Sequence, residues 1–362
     1  MVNKNNPDIN FWNNKNVLIT GHNGFKGSWL SLWLKKMGAK VSGVSLELSD
    51  KINLYDNLCI SSEINEYICD ITNSNLFEEI VLKIKPDIVF HMAAQPLVKR
   101  SYKEPKYTWE VNVIGTINLL EALRKLNNKC VSIFITTDKV YENVNLKYAF
   151  REEDALGGFD PYSSSKASCE LAITAWRNSF LNISENQKNI MISSVRSGNV
   201  IGGGDWSEDR IVPDLIRSIL GNRPLNIRNP NSVRPWQHVL DPLSGYILLA
   251  EKYSNKEVNQ KEFDSLNFGP LISSNQTVSS LANKAFSIWE GSWIDSSSVD
   301  KFYESDDLRL SIDKSFRVLG WQPRWDFDKT LEKTISWYKS FNKDPSKARY
   351  YCEKDIDHFL NS

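Results

Sequence analysis

The chain has 362 residues, enough for one large α/β domain or two intimate lobes with real cores. A 41% hydrophobic and 24% charged composition excludes wholesale disorder, and 44 basic against 44 acidic residues leave no excess charge for non-specific nucleic-acid or membrane binding. Five scattered cysteines without a Cys-x-x-Cys pair, and four histidines without ligand spacing, exclude a disulfide framework and a metal centre. The polar stretch Met1 to Asn10 has no apolar signal core, and no apolar run reaches the ~20 residues that span a bilayer, so the chain reads as cytoplasmic.

Asn16-Val-Leu-Ile-Thr20 reads as a short buried strand. Gly21-His-Asn-Gly-Phe-Lys-Gly27 follows, then a helical run from Ser28 to Met37 closed by Gly38, then a second strand from Lys40 to Ser45. The alternation continues with a strand near Tyr67–Cys69, a helix Ser74–Ile84, a strand Asp87–His91, a helix Tyr107–Leu126 and a strand Val131–Thr136. A helix from about Tyr162 to Phe180 and a strand near Met191–Arg196 extend it. Strands alternating with helices of this length predict a Rossmann-type doubly wound parallel sheet, covered on both faces. From Gly198 onward, Gly202-Gly-Gly204 and prolines 213, 224, 230 and 235 break the chain into short elements. Leu240–Ala250 reads as a helix returning to the core, and Thr330–Asn342 as a helix of the tail. The expected division is a dinucleotide-binding domain of 1–196 with a returning segment near 236–270. A smaller, mostly C-terminal α/β substrate lobe takes 197–235 and about 271–362.

The turn Gly21-x-x-Gly24-x-x-Gly27 stands where a dinucleotide needs it, after the first strand and before the first helix. Glycine allows the tight turn and the approach of a pyrophosphate to backbone N–H groups, and the helix N-terminus adds positive potential. Tyr162-Ser-Ser-Ser-Lys166 puts a phenol and an amine on one helical face, where the lysine's charge can lower the phenol pKa. Tyr102…Lys106 and Tyr350…Lys354 share that spacing and carry no weight. Tyr162 differs because it opens a helix behind Asp160-Pro161, downstream of a strand ending Ile135-Thr-Thr-Asp-Lys139.

The Gly-x-x-Gly-x-x-Gly spacing resembles the extended short-chain dehydrogenase/reductase superfamily. Longer stretches are similar to its CDP-glucose 4,6-dehydratases. They are Phe11-Trp12 with Val17 to Trp33, His91-Met-Ala-Ala-Gln-Pro-Leu-Val98, Thr136-Thr-Asp-Lys-Val-Tyr141, Gly158 to Lys166, Arg196 to Trp206, and Arg234-Pro-Trp-Gln-His-Val239. The resemblance implies NAD as cofactor, touched by Gly21, Asn23, Gly24, Phe25, Lys26, Gly27, Asp70, Ile71, Ala93, Ala94, Gln95, Tyr162 and Lys166. It implies Thr137, Asp138, Lys139, Tyr162 and Lys166 as catalytic residues. Asp138 would be the elimination acid. Lys139 would be the C5 base if neutral, or would stabilise the enolate if charged. Asn199 would lie near the sugar, and Arg210 and Arg234 would face the diphosphate and nucleoside of CDP-glucose. A homodimer through the helices Tyr107–Leu126 and Tyr162–Phe180, with Leu171, Ile173 and Trp176 on their outer faces, follows from the same resemblance.

Two features depart from the family. The second strand ends Val44-Ser45-Leu-Glu47, without an acid at its tip for the ribose hydroxyls and without an arginine for a 2′-phosphate. The tail has Tyr303-Glu-Ser305 where the family commonly has His-Glu-Ala, which leaves the role of Glu304 open. A 4-epimerase or a dehydratase of UDP-, dTDP- or GDP-sugars shares the tyrosine and lysine. An inactive nucleotide sensor or scaffold is the non-enzyme alternative, against which the intact Thr137, Tyr162 and Lys166 set argues.

Overall fold

In a computed structural model of the chain, residues 6–48, 52–142, 148–181, 190–255, 262–297 and 308–362 are described. The Tyr303-Glu304-Ser305 segment lies outside them. Asn16–Thr20 (β1) alternates its apolar side chains between two cores, with Val17 and Ile19 on one face and Leu18 on the other. A strand apolar on both faces belongs at the centre of a sheet. It pairs in parallel with Lys40–Ser45 (β2) on one side and Ile88–His91 (β4) on the other. Asn65–Ile68 (β3), Cys130–Ile135 (β5), Ile190–Arg196 (β6) and the strand Ser265–Asn267 complete a seven-stranded parallel sheet. Its order is Ser265–Asn267, β6, β5, β4, β1, β2, β3. The order reverses between β1 and β4, and a cleft outside the carboxyl ends of these strands is where open α/β sheets take ligands.

Helices cover both faces. Ile9–Trp12 (α1), Phe25–Lys36 (α2) and Leu54–Leu58 (α3) lie in the first core. Ser74–Ile84 (α4) belongs to the second, beyond the short helices Val98–Lys103 (α5) and Pro105–Trp109 (α6), as do Gly115–Lys125 (α7) and Pro161–Trp176 (α8). Ile211–Leu220 (α9), Leu240–Asn255 (α10), Val278–Ile288 (α11), Asp313–Leu319 (α12), Phe327–Lys343 (α13) and Ala348–Leu360 (α14) rejoin the first core, where Trp29, Trp33 and Tyr246 are fully buried. No helix among the described residues is long and apolar enough to cross a membrane, and all five cysteines are free.

Three expected boundaries move for identifiable reasons. Helix α2 starts at Phe25 rather than Ser28 and takes Gly27 into its first turn. A Cβ there would stand 2.1 Å from the Gly21 carbonyl oxygen, so the glycine is needed for packing as well as for turning. The expected helix Tyr107–Leu126 is α6, a π-helical turn Glu110–Ile114 and α7. That turn carries buried Asn112, whose amide bridges the loop after β4 to Ser165 on α8. Helix α8 likewise passes into a π turn, Arg177–Leu181.

Candidate active site

A single cleft of about 1180 Å³ runs along the carboxyl ends of the strands. Pockets that take one small ligand hold roughly 300–1,000 Å³, so this one lies above that range. One end is lined by the glycine-rich turn, Ser45, Glu47, Asp70, Ile71, Ala93 and Ala94; the other by Asn226, Arg228, Arg234 and Trp236. Thr137, Asp138, Lys139, Tyr162, Lys166 and Asn199 line the same cleft.

The turn is shaped for a phosphate. Gly21 has φ +71°, and Gly24 caps α2 without any side-chain hydrogen bond to the first N–H groups. A helix of 12 residues therefore opens toward the cleft with its N-terminal donors uncapped by side chains, which suits the pyrophosphate of a dinucleotide. At the tip of β2, where an acid was missing from the sequence, the Ser45 hydroxyl is buried and has no partner among the described residues. It is a polar group waiting on a ribose-sized neighbour at the expected place. These features fit a bound dinucleotide.

The structure turns one expected cofactor residue away. Gln95 is buried outside the cleft lining, and its amide donates to Thr108 Oγ1 at 2.9 Å and to the Leu97 carbonyl at 3.1 Å. Its carbonyl oxygen accepts from Leu97 N–H at 2.7 Å. Both ends of its side chain are thus engaged within the protein, by Leu97 and Thr108.

Helix α8 begins where the chemistry requires it. The Asp160 carboxylate accepts from the backbone N–H groups of Tyr162 and Ser163, both at 2.9 Å, and Pro161 sits in the first turn. This cap sets Tyr162 in the cleft lining, close to Thr137. Burial pushes its phenol up to about 12, against the downward pull of the Thr137 hydrogen bond and the Arg210 guanidinium. Among the cations, the Arg210 guanidinium favours the phenolate. The Lys166 ammonium donates to the Ile135 carbonyl at 3.3 Å, and burial lowers its own pKa. Lys26, in the glycine-rich turn, reaches Ser197 Oγ at 3.2 Å. Burial first, then Arg210 and Lys166, bring it down to about 7.

Asp138 follows Thr137 in a single helical turn, and Thr137 Oγ1 donates to Asp138 Oδ1 at 3.0 Å. Asp138 Oδ2 is buried and has no partner among the described residues. Gly198 packs directly against this oxygen: a Cβ there would stand 1.8 Å from Oδ2, so only glycine lets the carboxylate sit where it does. We expect Gly198→Ala to displace Asp138 and lower kcat by roughly tenfold or more with little change in melting temperature. Steady-state kinetics and a thermal melt check this; an unaltered kcat would mean that the Asp138 position is immaterial.

Arg210 pairs with Asp205 at 2.9 Å, and Arg234 is buried with its guanidinium on the Val233 carbonyl at 2.9 Å. Sequence reading missed Lys99, which joins Asp209 at 2.6 Å within the cleft lining, since the two come from distant segments. Phe159, 75% exposed just before α8, lines the same cleft. Of the apolar residues expected on the outer helix faces, Leu171 is exposed, Trp176 is half-buried and Ile173 belongs wholly to the core. Among the described residues no cluster of His, Cys, Asp or Glu could hold a metal ion.

Comparisons with known proteins agree with this geometry. CDP-glucose 4,6-dehydratase of Salmonella typhimurium is 42% identical over 337 residues, covering 92% of this chain and 93% of the relative. UDP-glucose 4-epimerase of Thermotoga maritima, solved with UDP-glucose, superimposes with a TM-score of 0.77 at 23% identity, over 90% of this chain and 99% of that one. dTDP-glucose 4,6-dehydratase of Bacillus anthracis, solved in complex with NAD, gives 0.73 at 21% identity over 90% and 97%. The two structural likenesses speak to the fold. A model of the family described as GDP-mannose 4,6 dehydratase matches residues 18–334, and the chain belongs to that family.

Proposed function

We propose that the chain is an NAD-dependent CDP-glucose 4,6-dehydratase, converting CDP-glucose to CDP-4-keto-6-deoxyglucose and water. The observation that supports the reaction type is Asp138, bonded to Thr137, in a cleft that Lys139 and Tyr162 also line. A 4-epimerase needs the tyrosine but has no use for an elimination acid. The nucleobase rests on the 42% identity to the Salmonella enzyme.

Tyr162 takes the proton of the C4 hydroxyl, with Thr137 orienting the phenol and Arg210 favouring the phenolate. A dinucleotide held in the glycine-rich turn would supply the redox chemistry, with hydride taken from C4 and given back at C6. The 4-keto group acidifies C5–H; its removal and protonation of the C6 hydroxyl by Asp138 form the C5–C6 double bond and release water. Lys139 lines the cleft next to Asp138 and meets the C5 proton or, when charged, the enolate that its loss creates. Gly21 to Gly27, Ser45, Asp70, Ile71, Ala93 and Ala94 would hold the dinucleotide. Asn199, Arg210 and Arg234 would hold the sugar nucleotide, with 197–235 and about 271–362 as the lobe that binds it.

The same reading includes a cytoplasmic homodimer. Exposed Trp109, Ile114, Leu171 and Phe180 on α6 to α8 and their π turns support a self-contact there. Incubation with CDP-, dTDP-, UDP- and GDP-glucose without added reductant tests the function. We expect the 4-keto-6-deoxy product from CDP-glucose alone. Product from another nucleotide would overturn the nucleobase, and an epimerised sugar would overturn the reaction.

A further inference from the structure

Helix α8 carries a third polar residue on the side that bears Tyr162 and Lys166. Glu170 lies four residues beyond the lysine and is almost wholly buried. Each of its carboxylate oxygens accepts two hydrogen bonds. Oε1 takes Thr136 Oγ1 at 2.6 Å and Arg196 Nε at 3.0 Å. Oε2 takes Ser194 Oγ at 2.6 Å and Arg196 Nη2 at 3.0 Å. These partners come from the ends of two neighbouring strands. Thr136 immediately precedes Thr137-Asp138 at the end of β5, and Arg196 immediately precedes Ser197-Gly198 at the end of β6. Arg196 continues outward, donating from Nη1 to Tyr141 Oη at 2.8 Å and to the Glu152 carbonyl at 3.1 Å.

A buried ion pair of this kind is a poor source of net stability, because desolvation offsets most of the attraction. What it supplies is geometry: planar, bidentate, and intolerant of displacement. Three segments converge on it, and each bears a group of the proposed reaction: Tyr162 on α8, Thr137 and Asp138 after β5, Gly198 after β6.

We infer that Glu170 is a positioning residue, holding the Thr137–Asp138 turn against Tyr162 and Gly198 so that the C4 base and the elimination acid address one sugar. This rests on the dehydratase reading above and adds to it a residue that touches neither substrate nor cofactor. Glu170→Gln would leave Arg196 buried against a neutral partner and risks misfolding. Thr136→Val is the sharper probe, since it removes only the hydroxyl that reaches Glu170 Oε1 at 2.6 Å and the Val195 carbonyl at 3.2 Å, and Thr136→Ser restores it.

We expect folded Thr136→Val to lose roughly 10- to 100-fold in kcat while KM for CDP-glucose and affinity for NAD stay within about twofold. Reduced cofactor, read by its near-ultraviolet absorbance, should build up during turnover because oxidation at C4 outruns elimination. Thr136→Ser should recover most of the rate. Wild-type kcat in folded Thr136→Val, or equal losses in the valine and serine variants, would overturn the inference. The wild-type control separates the two levels: failure of the unaltered protein to make the 4-keto-6-deoxy product overturns the dehydratase reading, and the inference with it.

Discussion

Replacing Tyr162 by phenylalanine is expected to lower kcat by roughly 10²- to 10⁴-fold while leaving binding of NAD and CDP-glucose within a few-fold, the range for loss of a positioned acid–base group. The ring stays, so the packing of α8 stays, and the proton acceptor is lost. The pH dependence carries the sign of the pKa shift. Burial raises the Tyr162 phenol to about 12 in the free protein, so its active, ionised form is scarce at neutral pH and grows as pH rises. kcat/KM should therefore climb through the alkaline range until other groups fail. Thr137 and Arg210 pull the phenol down, so Arg210→Met should displace that rising limb to higher pH in addition to weakening substrate binding. Initial-rate profiles of the three proteins measure this. A Tyr162→Phe enzyme with near-normal kcat, or an Arg210→Met limb at unchanged pH, would contradict the assignment.

Much of this site is legible in the sequence because its chemistry is local. The apolar runs before Gly21 and after Asn127-Asn-Lys129 identify β1 and β5, β2 follows the helix-closing Gly38, and Asp160-Pro161 announces the start of α8 before Tyr162. Asp138 follows Thr137 directly, so one motif brings both. What the sequence hides is direction and long-range company. Gln95 stands in a cofactor-like motif, yet its amide is spent on Leu97 and Thr108. The acid absent from the tip of β2 left the ribose contact undefined, and the buried Ser45 hydroxyl emerges there only once β2 is placed beside β1. Glu170, Thr136, Ser194 and Arg196 look like unrelated polar residues in a helix and two strands. Their convergence depends on the parallel register of β5 and β6, in which Ile135 pairs with Val195. Spacing alone also cannot show that the Lys166 ammonium donates to the Ile135 carbonyl, or that Arg210 enters the site from another segment.

Asp138→Asn is the substitution that separates the steps of the reaction. The amide keeps the shape of the carboxyl and can still accept from Thr137, so the turn between β5 and the catalytic helix should persist. It cannot protonate a departing hydroxyl. Oxidation at C4 depends on Tyr162 and Thr137 and should continue, whereas loss of water from C6 should slow by roughly 10²- to 10³-fold. The protein should then consume CDP-glucose in a single partial turnover, hold its cofactor reduced, and form almost no 6-deoxy product. In deuterium oxide the C5 position should still exchange, because removal of that proton does not need the carboxyl. An epimerase would respond differently: without an elimination step, the same substitution would leave the fate of C6 unchanged and produce no stalled, reduced enzyme. Full product formation by Asp138→Asn would transfer the acid role to another group of the cleft. Loss of the C4 oxidation as well would show instead that Asp138 acts through Thr137, whose hydroxyl donates to its carboxylate.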